Sequence, residues 1–220
     1  MFEANTDGKS EKKSSFIFWN SFISNFHINA QIFFKFDFSC TFGFYYWFLF
    51  FYLYNLVKRK TPQNIVIGGA AGALPPVIGW TIATGNISVE PVILFLIIFL
   101  WTPSHFWALS LYKSGDYKKA KIPMLPVISG TKTTKLNILV YALAMAPIIV
   151  APYFFNFASL FYLTICSLTT AYYIYLCFNL YKAKNTKISN IIARKVFIYS
   201  IFYLFFIFLI ILIDNLIAKI

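Results

Sequence analysis

Between Trp101 and Pro126 the chain reads WTPSHFWALSLYKSGDYKKAKIPMLP, an apolar helical stretch that runs out into a segment holding one carboxylate among several lysines. Asp116 is that carboxylate, and Lys113, Lys118, Lys119 and Lys121 surround it in sequence. Magnesium takes oxygen ligands, commonly one or two carboxylates completed by phosphate oxygens and water, while lysines neutralise charge building on a departing phosphate. Tyr112, Lys113, Asp116 and Tyr117 follow directly from the apolar stretch, so their polar ends can face a bilayer boundary while a lipid tail lies between the helices. This is the geometry a prenyl diphosphate requires. The same residues also fit a plainer reading, a solvated basic loop that obeys membrane topology and touches anionic lipid. Pro123 and Pro126, in the run IPMLPV, stiffen the return path and favour a shaped lid over a loose linker.

The elements that position this segment are set by composition. Of 220 residues, 60% are hydrophobic, 21% aromatic and only 12% charged, which places the chain among membrane proteins. A helix needs about 20 mostly apolar residues to cross the hydrocarbon. Six stretches meet that requirement: 38–57, 63–84, 91–111, 136–155, 158–181 and 196–217. Helices are required because no water inside the bilayer can satisfy an open strand. The expected fold is therefore all-α, a polytopic transmembrane bundle over residues 38–220, preceded by an N-terminal segment, 1–37. Within that segment residues 16–36 are apolar but interrupted by Asn20, Asn25, His27, Asn29, Gln31 and Lys35, so they form either an interfacial helix or a seventh, imperfect span.

The net charge of +12 could suggest nucleic acid, but the cations are clustered in short links between apolar runs. Fourteen of the 19 basic residues lie in three alternate links, after the first, third and fifth stretches; the intervening links hold none. The positive-inside rule then puts the Asp116 segment on the cytoplasmic or matrix side. No small-residue cleavage site follows a compact apolar core near the N-terminus, so a removable signal peptide is not expected. Cys40, Cys166 and Cys177 all fall in apolar stretches without C-x-x-C spacing, which points to buried, inert thiols.

Two further features bear on the site. Gly68 and Gly72 stack on one face of the second stretch and invite close helix packing, and Pro75–Pro76 should kink or break that helix. Pro103 should act similarly near the end of the third, just before His105, which either orients or ligates a substrate or serves as a hydrogen-bonded packing residue.

The blocks TPQNIVIGGAAGALPPVIGW (61–80) and FLWTPSHFWALSLYKSGDYKKAKIPMLP (99–126) resemble the protohaem IX farnesyltransferases, or haem O synthases, of the UbiA superfamily of membrane prenyltransferases. With the helix order, the resemblance covers about residues 40 to 217. It implies transfer of farnesyl from farnesyl diphosphate to a vinyl group of haem B, with water supplying the hydroxyl of the product. Haem B is then substrate, Mg²⁺ the expected cofactor, and haem A synthase or terminal-oxidase assembly proteins the expected partners. The membrane would be the bacterial cytoplasmic or the mitochondrial inner membrane. By the same resemblance Asp116 matches the acid of the second aspartate-rich region and would hold magnesium. Lys113 and Tyr117 would contact the leaving group with help from Tyr112; Lys118, Lys119 and Lys121 are substrate-binding candidates by their charge in this segment alone. Asn64 with Gly68–Pro76 matches the cavity-lining helix, and His105 lies in the TP-x-HFW motif, where Ser104 replaces the usual second proline.

The family's first aspartate-rich motif, N-x-x-x-D, is not found: Asn25 and Asn29 have no Asp at that spacing, and Asp37 has Phe33 where Asn should stand. The six stretches correspond to the C-terminal two thirds of a bundle of about nine helices. Two alternatives accompany the enzyme reading, an inactive membrane homologue or assembly partner and a UbiA-type prenyltransferase for an aromatic acceptor.

Overall fold

The structure is a computed structural model, which describes residues 61–120 and 122–217. In chain order its helices are α1 (Asn64–Ala73), α2 (Pro75–Thr84), α3 (Val89–Tyr112), α4 (Ser114–Lys119), α5 (Leu125–Ile128), α6 (Gly130–Phe154), α7 (Leu160–Lys182) and α8 (Thr186–Ile217). With α1 and α2 counted together, five segments are long and apolar enough to cross a membrane. The chain is an integral membrane protein. The stretch 38–57, the segment 16–36 and Cys40 lie outside the described residues.

The expected break in the second stretch occurs where the prolines demand it. Leu74 keeps a right-handed conformation, α1 stops, and Pro75 and Pro76 occupy the first turn of α2, where a missing N–H costs nothing. Gly85, at φ +74°, then closes α2 in the left-handed region that glycine tolerates best. At Pro103 the helix is not broken, and α3 runs on through it for nine more residues. Neighbouring hydroxyls turn back onto the helix beside it, Thr102 Oγ1 to the Ile98 carbonyl at 2.7 Å and Ser104 Oγ to the Trp101 carbonyl at 3.0 Å.

Close packing also falls one residue away from the expected glycine face. A Cβ on Gly69 would stand 3.0 Å from Thr102 Cγ2, so it is here that α1 approaches α3 most tightly, whereas a Cβ on Gly72 meets nothing within 4 Å. Gly72 lies on the exposed side of α1.

Helices α3, α6, α7 and α8 enclose the core. Trp107, Tyr162, Tyr173, Tyr203, Ile97, Ile138 and Met145 are fully buried there, with Cys166 and Cys177 among them as inert thiols. Large apolar side chains such as Leu143, Leu168, Phe202, Phe205 and Leu212 cover the outer faces. Helices apolar on both faces belong in lipid. Between them apolar burial gives no net drive, because lipid tails are equally apolar, so close packing and buried polar contacts hold the helices together. Tyr173 Oη meets Ser104 Oγ at 2.8 Å, Tyr203 Oη meets Thr170 Oγ1 at 2.9 Å, and Tyr162 Oη donates to the Ile149 carbonyl at 3.0 Å.

Two of the spans outrun their apolar stretches at the basic end. Helix α6 begins at Gly130 rather than 136, and α8 begins at Thr186 rather than 196. At about 1.5 Å per residue, the 32 residues of α8 extend roughly 48 Å, well beyond a hydrocarbon core of about 30 Å. Its first turns, residues 186 to 195, hold the polar part of that length. Lys135 Nζ reaches across to the Ala183 carbonyl at 2.7 Å and ties the α7–α8 link to α6. At the opposite end Asp214 accepts from the Ser159 N–H at 2.6 Å and from its hydroxyl, which in turn caps α7.

Candidate functional site

The site begins where α3 ends. Lys113 closes α3 by giving its N–H to the Leu109 carbonyl, and its own carbonyl receives the Asp116 N–H at 3.0 Å as α4 begins. The Asp116 segment is therefore a six-residue helix and not the loop expected from its polarity. One turn of α4 sets Asp116 three residues from Lys113, and Lys113 Nζ lies 3.5 Å from Asp116 Oδ2. Both side chains are more than half exposed, at 54% and 68%, so this ion pair contributes only about 0–1 kcal/mol and exchanges readily for a better partner.

Tyr112, Lys113 and Asp116 line one wall of an open cleft of about 490 Å³, and Arg194 of α8 lines the other. That volume falls within the roughly 300–1,000 Å³ of small-molecule sites. Two cations against one carboxylate leave the cleft lining as a whole net positive. Arg194 is among the cations of the link after the fifth apolar stretch, which the sequence marks only as a topology signal because it falls in a polar run outside the last stretch. Helical continuation of that stretch toward the N-terminus is the signal that would have found it.

Below the cleft, His105 lies two turns back along α3, roughly 12 Å from Lys113 by helix rise. Its ring is stacked between Trp101, at 4.2 Å between centroids, and Phe197, at 4.6 Å. Nδ1 meets Ser200 Oγ at 2.6 Å, and that hydroxyl also reaches the Phe197 carbonyl at 2.6 Å. The carbonyl can only accept, so the single serine proton goes to it and Nδ1 must carry the hydrogen of the histidine bond. Nε2 then keeps the lone pair. The serine's own carbonyl accepts from Trp101 Nε1 at 2.8 Å, which makes Ser200 the hinge pin between α3 and α8.

The other expected residues are dispersed. Tyr117 is partly buried in α4, its carbonyl taking the Ile122 N–H at 3.1 Å, and does not line the cleft. Lys118 and Lys119 are exposed in the last turn of α4, also away from the cleft wall. Asn64 is buried at the start of α1, and Lys121 lies outside the described residues. The end of the proline run forms α5, capped by Met124, and Met124 and Leu125 are both buried, so this segment is held to the bundle by apolar contact. No group of three or more His, Cys, Asp or Glu side chains exists among the described residues. One carboxylate does not make a self-contained magnesium site, but it does fit an ion shared with phosphate oxygens.

Comparison with known families matches residues 37–210 to the UbiA prenyltransferase family. The chain belongs to that family. The protoheme IX farnesyltransferase of Pelagibacter ubique is 54% identical over 210 residues, 95% of this chain and 69% of that protein. Those of Parvibaculum lavamentivorans and Rhizobium rhizogenes are 49% and 50% identical over 173 residues, 77% of this chain and 54% of each relative. The chain thus spans roughly half to two thirds of the curated relatives it matches. No solved structure matches it. UbiA membership accounts for a polytopic helical membrane bundle.

Proposed function

We propose that this UbiA chain takes part in haem O synthesis, with the Tyr112–Lys113–Asp116 wall receiving the diphosphate of farnesyl diphosphate and haem B as acceptor. The observation that carries this reading is the cleft. It joins an exposed carboxylate to fixed positive charge at the end of an apolar helix, in a chain whose relatives are named protoheme IX farnesyltransferases.

In this reading the farnesyl tail lies along the apolar spans and the diphosphate sits at their polar end. Asp116 would hold a magnesium ion against the phosphate oxygens, and that ion would supply Lewis-acid neutralisation of the leaving group. Lys113, released from its weak ion pair, stabilises the negative charge that grows as the allylic C–O bond breaks. The electron-rich vinyl carbon attacks the allylic carbon, and water captures the resulting cation and loses a proton to give the hydroxyethylfarnesyl product. The apolar wall around His105 keeps water away until that last step. His105 offers Nε2 to orient or ligate the haem, because Ser200 already occupies Nδ1.

The test is to supply the purified chain, in lipid, with haem B, farnesyl diphosphate and magnesium. Haem O should form, identified by its mass and chromatographic shift. Asp116→Asn should abolish product while membrane insertion is unchanged. Equal product from the two proteins would remove Asp116 from the reaction, and haem binding without any product from the unaltered chain would leave a non-catalytic homologue.

A further inference from the structure

We propose that Arg194, carried on the last helix, is a phosphate-binding residue of the cleft and grips the diphosphate from the wall facing Asp116. The assignment rests on the cleft being the diphosphate site of the proposed farnesyl transfer.

The register between α3 and α8 leads to it. The two helices run antiparallel, and their contacts advance rung by rung toward the basic end. Ser200 meets Trp101 and His105, then Phe197 meets His105 and Tyr112, the latter at 6.1 Å between ring centroids. Arg194 is one turn further along α8, which brings it level with Lys113 and Asp116 across the cleft. Its turn is firmly seated, because Ala193 and Val196 on either side are fully buried. The side chain is exposed while its backbone is held.

Charge and chemistry agree with that placement. The described residues contain a single ion pair, Lys113–Asp116, so within them the guanidinium has no carboxylate to satisfy it. A planar fork of donors matches two phosphate oxygens at once, which an ammonium cannot do. Lys195 provides the internal contrast. It has the same charge, the same exposure and the same topological meaning, but it does not line the cleft. A purely topological role, or attraction to anionic lipid, would treat the two residues alike. A diphosphate site would not.

The same phosphate chemistry could be met by a lipid headgroup, so the experiment separates the two sources. The 220-residue chain, in phosphatidylcholine nanodiscs, is titrated with inorganic pyrophosphate in the presence of magnesium, and the titration is repeated in phosphatidylglycerol nanodiscs. Arg194→Ala should weaken pyrophosphate binding about ten- to hundredfold in both lipids, as expected for loss of a charge-assisted bidentate contact. Arg194→Lys should fall between, and Lys195→Ala should stay within about twofold of the unaltered chain. Wild-type affinity in Arg194→Ala overturns the proposal, as does an equal loss in Lys195→Ala or a loss confined to phosphatidylglycerol. If the unaltered chain binds no pyrophosphate, the diphosphate reading of the cleft fails as a whole and Arg194 with it. If haem O forms normally in Arg194→Ala, farnesyl transfer stands and only the arginine's role is lost.

Discussion

Replacing Ser200 with alanine tests whether polar contacts, and not apolar packing, lock α8 against α3. The hydroxyl is fully buried and serves two partners at 2.6 Å, taking a proton from His105 Nδ1 and giving its own to the Phe197 carbonyl. Without it the Nδ1–H of a histidine only 7% exposed has no acceptor, and a buried unsatisfied donor costs about 1–3 kcal/mol. Interhelical hydrogen bonds measured in membranes average about 0.6 kcal/mol and reach about 1.7, since the loosened state also finds partners. The membrane value should govern the lower bound and the stacked, water-poor site should raise it, so a loss of about 1–2 kcal/mol is expected. Converting the partner as well should recover much of it. His105→Phe preserves the stack with Trp101 and Phe197 and removes the orphaned donor, so the double substitution should be less destabilising than the sum of the single ones by about 1 kcal/mol. Denaturant titration of the four proteins in mixed micelles, followed by circular dichroism, measures this. Strict additivity would show that the 2.6 Å contact contributes nothing and would remove the reason given for the histidine tautomer.

Gly69→Leu should loosen α1 from α3 by about 1–3 kcal/mol, because even a Cβ there meets Thr102 Cγ2 at 3.0 Å. Gly72→Ala should be neutral or gain up to about 1 kcal/mol from helix propensity. Melting temperatures in detergent compare the two, and an equal loss at both positions would refute the assigned contact. Asp214→Asn should free the turn before α7, since an amide nitrogen cannot accept either of the two Ser159 bonds and only one carboxyl oxygen is kept. Faster hydrogen exchange at residues 155–160, with α8 still protected, is the expected result; unchanged exchange would show that the turn is held by packing alone.

The architecture was largely readable because the bilayer imposes it. Apolar length marked the five described spans, and Pro75–Pro76 marked the break between α1 and α2. Less was readable where two forces with different ranges compete. Hydropathy reports where a residue prefers lipid, whereas a helix continues for as long as its backbone bonds propagate, and the two limits part company at the basic end. For that reason α6 and α8 begin six and ten residues before their apolar stretches, and the Asp116 segment is a helical turn. Gly69 was missed for a different cause: spacing by four identifies a face, but which face meets a neighbour depends on the position of Thr102 in another helix.

These differences bear directly on the candidate site. Groups that handle a diphosphate must be polar, so they lie on the parts of helices that leave the hydrocarbon, where a hydropathy reading ends its spans. As a residue of the cleft lining, Asp116 was still legible in the sequence, because it follows α3 and a carboxylate among lysines is conspicuous by type. Arg194 was not, because its nearness to Asp116 is created by the antiparallel register of α3 and α8, which Ser200, Phe197 and their partners set in the membrane interior. The polar interior contacts therefore do more than stabilise the bundle: a shift of one turn at Ser200 would carry Arg194 about 5 Å along the helix axis and take the second cation out of the cleft.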